Sequence, residues 1–107
     1  MVVTRNVSDT IQERIQSDED FATALLNEAI SLFLSGESDM ARLVLRDLVN
    51  ATVGFEELAI EVDKPSKSLH RMLSARGNPT MDNLTKIFSV LQRKLNVDIE
   101  VHAVQQV

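Results

Sequence analysis

Apolar residues recur at helical spacing along most of this chain. Phe21, Leu25, Ala29 and Leu32 form one stripe, and Ala22, Leu26, Ile30 and Phe33 form a second beside it. Two adjacent stripes make a wide apolar face and predict a well-buried helix. Ser17 and the acids Asp18, Glu19 and Asp20 mark its start, with Ser17 as the cap. Gly36 marks its end, as a residue suited to the left-handed position after a helix. A second helix is expected from Ser38 to about Thr52. Ala41, Val44, Leu45, Leu48 and Ala51 face the core, and Arg42, Arg46, Asp47 and Asn50 lie mostly outside. Gly54 breaks it. Residues 55–62 are short and helical, with Leu58, Ala59 and Val62 on one face. After Asp63-Lys64-Pro65, a further helix is expected over about 66–74, with Leu69, Met72 and Leu73 inward. The composition of Arg76-Gly77-Asn78-Pro79 reads as a loop. Thr80 caps a helix over about 81–91, whose stripe is Leu84, Ile87, Phe88 and Leu91.

The two ends depart from this period. Residues 1–16 are weakly patterned and are read as an N-terminal arm, and a short helix over 10–16 fits them equally. Near the C-terminus, Val97, Ile99, Val101 and Ala103 alternate with Asn96, Asp98, Glu100 and His102. Strict alternation predicts a half-buried strand over about 95–107. A lone strand needs a partner: the arm, a second copy or another protein. The organisation expected is an arm (1–16), a helical domain (17–94) and a C-terminal strand (95–107).

The chain has 107 residues, enough for one modest core. It has no Cys and two His, which rules out disulfides and thiolate sites and argues against a His-rich metal centre. With no Trp or Tyr, a base-stacking platform is not expected. No apolar run is long enough to span a membrane, and the N-terminal residues lack the apolar stretch of a secretory signal, so a cytoplasmic protein is expected.

The net charge of −5 argues by itself against nucleic-acid binding, which needs Lys and Arg for phosphate contacts. The distribution alters that conclusion. Residues 64–94 hold 7 basic and 1 acidic residue, a net +6, and the rest of the chain carries −11. This basic block overlaps Phe55–Thr80, where two short helices joined by about three residues form a helix-turn-helix. In that motif the second helix presents its first residues to base edges in the major groove.

The segment LAIEVDKPSKSLHRMLSARGNPTMDNL resembles the Xre, lambda-repressor-like helix-turn-helix family, in its branch of addiction-module antidotes, the HigA-like antitoxins. The likeness rests on Leu58-Ala59, Ser68-Leu69, Arg71, Leu73-Ser74 and Gly77-Asn78-Pro79-Thr80. Upstream it extends to Phe21-Ala22, Leu26-Asn27-Glu28-Ala29 and Leu45-Arg46-Asp47-Leu48, covering roughly residues 18–104. Asp63 stands where the family usually has Gly, Lys64 where it often has an apolar residue, and Pro65 where it usually has Ser. Asp tolerates the left-handed conformation, so the turn is expected to form.

The resemblance implies a mainly α, lambda-repressor-like bundle of about five helices with a short C-terminal β-strand. It implies a DNA-binding repressor, the antitoxin of a type II toxin–antitoxin module that represses its own operon and neutralises a RelE/HigB-like toxin. A stand-alone Xre-type regulator and a pure protein-interaction module are the rival readings. By motif position, Ser66, Lys67 and Arg71 are candidates for base edges. Lys64 and His70 are candidates for phosphate. Asn78 and Thr80 could bond phosphate but also serve as loop and cap residues. The expected partners are double-stranded operator DNA, a second copy joined through Val97, Ile99 and Val101, and a basic toxin complementing the acidic N-terminal half. No cofactor is expected. Asp98, Glu100 and His102 share a strand face, but alternation alone produces such a face, so no enzymatic activity is expected.

Overall fold

A computed structural model describes residues 7–107. Six α-helices occur among them: α1 (Val7–Ser17), α2 (Glu19–Leu34), α3 (Ser38–Ala51), α4 (Phe55–Val62), α5 (Ser66–Met72) and α6 (Met81–Leu95). The mainly helical bundle expected from the periodicity is present, with one helix more than anticipated.

The extra helix is α1. Of the two readings of 1–16, the helix expected over 10–16 is present and begins at Val7, and residues 1–6 lie outside the described residues. Ile15 is the reason: it is buried, and Ile11 packs against the same core. Asp18, not Ser17, caps α2, its carboxylate accepting from the Phe21 N–H at 3.2 Å. The Ser17 hydroxyl donates backward to the Arg14 carbonyl instead. Arg14 also stands over the Phe21 ring, 5.0 Å from its centroid, which ties α1 to the first turn of α2.

Helices α1, α2 and α3 pack on one another, with α2 against α3 as the most extensive contact. Small Ala22, Ala29 and Ala41 are fully buried, while Leu26, Leu45 and Leu48 fill the space between the helices. Helix α6 spans the assembly, touching α2 and α4. Its buried stripe is Leu84, Ile87, Val90 and Leu91, and Phe88 meets Phe33 of α2 edge to face at 6.1 Å. The helix continues a turn beyond Leu91, ending at Leu95 with Asn96 in the left-handed conformation (φ 57°).

The C-terminal β-strand is not formed: no strand occurs among the described residues. The alternation has a different cause. Val97 and Ile99 pack against the core, while Asp98 and Glu100 point to solvent. The Ile99 N–H donates to Gln92 Oε1 of α6 at 2.8 Å, a side-chain bond in place of a strand ladder. Beyond that point the chain is exposed, with Val101 63 % accessible. A ladder needs a second backbone, and none of the described residues forms one with the segment.

Candidate nucleic-acid interface

The site begins with the turn between α4 and α5. Leu58 and Val62 of α4 are buried against the fully buried Leu69 of α5 and Leu73 at its C-terminal cap, and half-buried Ala59 and Met72 complete the contact. Asp63 ends α4 in the left-handed conformation (φ 54°), and the Lys64 N–H reaches back to the Ala59 carbonyl at 3.1 Å. Asp63 thus does the work usually left to glycine. Pro65 is not inside the first turn of α5 but at its cap position, where its carbonyl accepts from the Ser68 and Leu69 N–H groups.

Burying Leu69 and Leu73 turns the opposite face of α5 outward. Lys67, His70 and Arg71 are exposed on that face and Ser66 is half-buried beside them. Lys64, also half-buried, precedes the helix. Among the described residues, no ion pair engages Lys64, Lys67, Arg71 or Arg76. The basic block is divided by its partners. Arg93 and Lys94 of α6 face Glu61 and Glu57 of α4 at 3.3 and 3.7 Å, so part of the positive charge is spent on holding α4 to α6. Such exposed pairs contribute little stability, but they neutralise those cations locally.

Three relationships were not visible in the sequence pattern. The first is Arg42. The expectation that it lies outside is wrong: it is 5 % exposed. Its Nε and Nη2 donate to the carbonyls of Ser74 and Ala75, both at 2.9 Å, just beyond the end of α5. Nη2 also pairs with Asp39 at 2.7 Å, and Nη1 donates to Ser38 Oγ at 3.3 Å. Its spacing to Ser38 and Asp39 is a helical signal for local bonds. Nothing local reveals the carbonyls more than thirty residues away.

The second is His70, whose ring stacks on Phe55 of α4 with centroids 3.9 Å apart and planes at 21°. This packing role is independent of any phosphate contact. The third is Gly77. A Cβ there would sit on the Met72 carbonyl and 2.6 Å from the Arg71 carbonyl oxygen. The loop after α5 lies directly on the end of that helix, which only glycine allows.

Asn78 and Thr80 are both exposed. Thr80 caps α6, its hydroxyl accepting from the Asn83 N–H at 3.1 Å. Of the expected dimerisation residues, Val97 and Ile99 are committed in part to the chain's own core and Val101 is free. Asp98, Glu100 and His102 are exposed, with Glu100 and His102 3.5 Å apart. Among the described residues, no group of three His, Asp or Glu side chains is placed to hold a metal ion. No helix among them is long and apolar enough to cross a membrane.

The arrangement is thus a rigidly held short helix offering cations on one exposed face. No protein-family model, curated protein or solved structure matches this chain.

Proposed function

We propose that this chain is a sequence-specific DNA-binding repressor that docks α5 in the major groove. The observation that carries the reading is the helix–turn–helix geometry of α4 and α5 with Lys67 and Arg71 exposed on the outer face of α5. Lys67 and Arg71 would pair with guanine edges, with Ser66 beside them. Lys64 and His70 would meet phosphate, with Asn78 and Thr80 as further phosphate contacts. The protein acts as a homodimer, setting two α5 helices about 34 Å apart on a palindromic site. Residues 100–107 supply the dimer contact as an edge that gains a ladder only from a second copy.

Together with the resemblance to HigA-like antidotes, the charge pattern supports an antitoxin that represses its own operon and binds a basic toxin. The overall excess of acid outside residues 64–94 favours a cationic protein partner. In this reading the chain binds and does not catalyse, and it works in the cytoplasm.

The experiment is a titration of the protein with its own promoter fragment at several salt concentrations. Binding that weakens steeply with salt, and more for Lys67→Ala and Arg71→Ala than for Arg93→Ala, supports the reading. Wild-type protein with no salt-dependent affinity for that fragment would refute it.

A further inference from the structure

The turn that follows α5 is held from both sides. Ser74 to Gly77 form a tight turn, closed by the Gly77 N–H on the Ser74 carbonyl at 3.0 Å. The same carbonyl accepts from Arg42 Nε, and the Ala75 carbonyl accepts from Arg42 Nη2, both at 2.9 Å. On the other side, the Ser74 hydroxyl donates to the Arg71 carbonyl at 2.8 Å, and Gly77 lies flush on the Arg71 and Met72 backbone. Arg42 is itself buried in α3, so the turn is fixed to the core as well as to α5.

Arg76 stands at a corner of that turn. Its backbone is fixed, yet its side chain is exposed and forms no ion pair with any described residue. The acid brought to this turn is Asp39, and its carboxylate lies 2.7 Å from Arg42 Nη2, not on Arg76. Arg42 thus grips the turn and also occupies an acid that would otherwise compete for Arg76. Beyond the turn, Asn78 and Thr80 are exposed while Gly77 and Pro79 are half-buried, so alternate residues of the loop face outward with Arg76. Asp82 in the first turn of α6 already answers the positive end of that helix. An anion meeting this loop therefore needs a side-chain cation, and Arg76 is the cation there.

We infer that Arg76 is a further contact to the DNA backbone phosphates, and that Arg42 is its positioning residue. The inference rests on the DNA-binding reading above and extends its footprint past the end of α5. A guanidinium bonds a phosphate through two parallel N–H groups. On a backbone already fixed, only the side chain has to be ordered on binding, which lowers the entropic cost. The contact goes to phosphate and not to a base edge because the first residues of α5, not the turn after it, enter the groove.

The test uses the full chain, its own promoter fragment and an unrelated duplex of the same length, over a series of salt concentrations. Arg76→Ala is expected to weaken binding to both duplexes by the same factor, about fivefold at low salt, and to lower the slope of log affinity against log salt by about one. Arg76→Lys should keep the slope and regain part of the affinity. Arg71→Ala should instead lose more on the promoter than on the unrelated duplex. Arg42→Met, measured where circular dichroism shows it folded, should weaken binding at least as much as Arg76→Ala. Adding Arg76→Ala to it should then cost less than twofold more. Arg42→Lys serves the same cycle if Arg42→Met unfolds. In the Arg42 variant, nuclear magnetic relaxation should show a looser Arg76 amide while Leu91 of α6 stays rigid.

Unchanged affinity and slope for Arg76→Ala, or a loss confined to the promoter, would overturn the phosphate contact. Additive losses from Arg42 and Arg76, or an Arg76 amide equally rigid without the fork, would overturn the positioning role. A wild-type chain that ignores both duplexes sinks the DNA reading and this contact with it. A wild-type chain that binds, with Arg71→Ala impaired and Arg76→Ala not, sinks this contact alone. Arg76 is exposed, so Arg76→Ala is expected to fold as the wild type does.

Discussion

Arg42 Nε lies 2.9 Å from the Ser74 carbonyl oxygen, so a side chain of α3 holds the C-terminal end of α5. With Nη2 on the Ala75 carbonyl, the guanidinium fork grips two successive carbonyls of the loop that leaves α5. A helix this short has little stability of its own, and its orientation depends on such tertiary anchors.

Removing the fork should therefore destabilise the whole domain. Arg42→Met is expected to cost about 3 kcal/mol, because a hydrogen bond to a charged donor is worth about 1.5–3 kcal/mol and two are lost at once. Arg42→Lys should recover less than half, since an ammonium lacks the planar fork. A lower urea midpoint with an unchanged slope is the readout. Asp39→Ala should cost little, because its carboxylate is 91 % exposed.

Gly77→Ala is expected to cost about 2 kcal/mol or more, by forcing the loop away from the Arg71 and Met72 backbone. Gly36→Asn is the control. Gly36 has a φ of 85° but open space around it, and Asn tolerates that region, so a change of under about 1 kcal/mol is expected. Equal melting temperatures for the two variants would contradict the close-approach argument.

His70→Ala should lower stability by about 1 kcal/mol through loss of the stack on Phe55, on the scale of aromatic pairs beyond their buried area. His70→Phe should restore it. Comparing the two variants in promoter binding separates packing from phosphate contact: a packing residue is rescued by Phe in both assays.

Lys67→Ala and Arg71→Ala should each weaken promoter binding about tenfold, corresponding to about 1–3 kcal/mol for a base or phosphate contact. Both side chains are exposed, so thermal stability should stay within about 0.5 kcal/mol of wild type. Arg93→Ala should affect DNA less, since Glu61 already faces that cation.

Deleting residues 100–107 should convert a dimer to a monomer in analytical ultracentrifugation. Val97, Ile99 and the Gln92 bond stay in place, so unfolding stability should be nearly unchanged. A persisting dimer would place the interface elsewhere.

The helices were legible because each has its own period and punctuation. Leu84, Ile87 and Leu91 repeat along α6 behind its cap Thr80, Gly36 follows the end of α2, and Gly54 separates α3 from α4. The turn at Asp63 was legible for the same local reason, and it placed Lys67 and Arg71 on the outer face of α5. Alternation from Val97 to Ala103 misled, because a period of two reports only that one side is apolar. An extended segment lying on α6 satisfies it as well as a strand does. Arg42, the Phe55–His70 stack and the Glu57–Lys94 and Glu61–Arg93 pairs were hidden, since each joins different helices. The sequence by itself determined helices α2 to α6, the turn and the charge on the outer face of α5, which are set by neighbours within a few residues. Only the tertiary structure decided that an arginine on a polar-looking helix position is buried, and which cations remain available, because those depend on which distant backbone and carboxylate groups packing brings within reach.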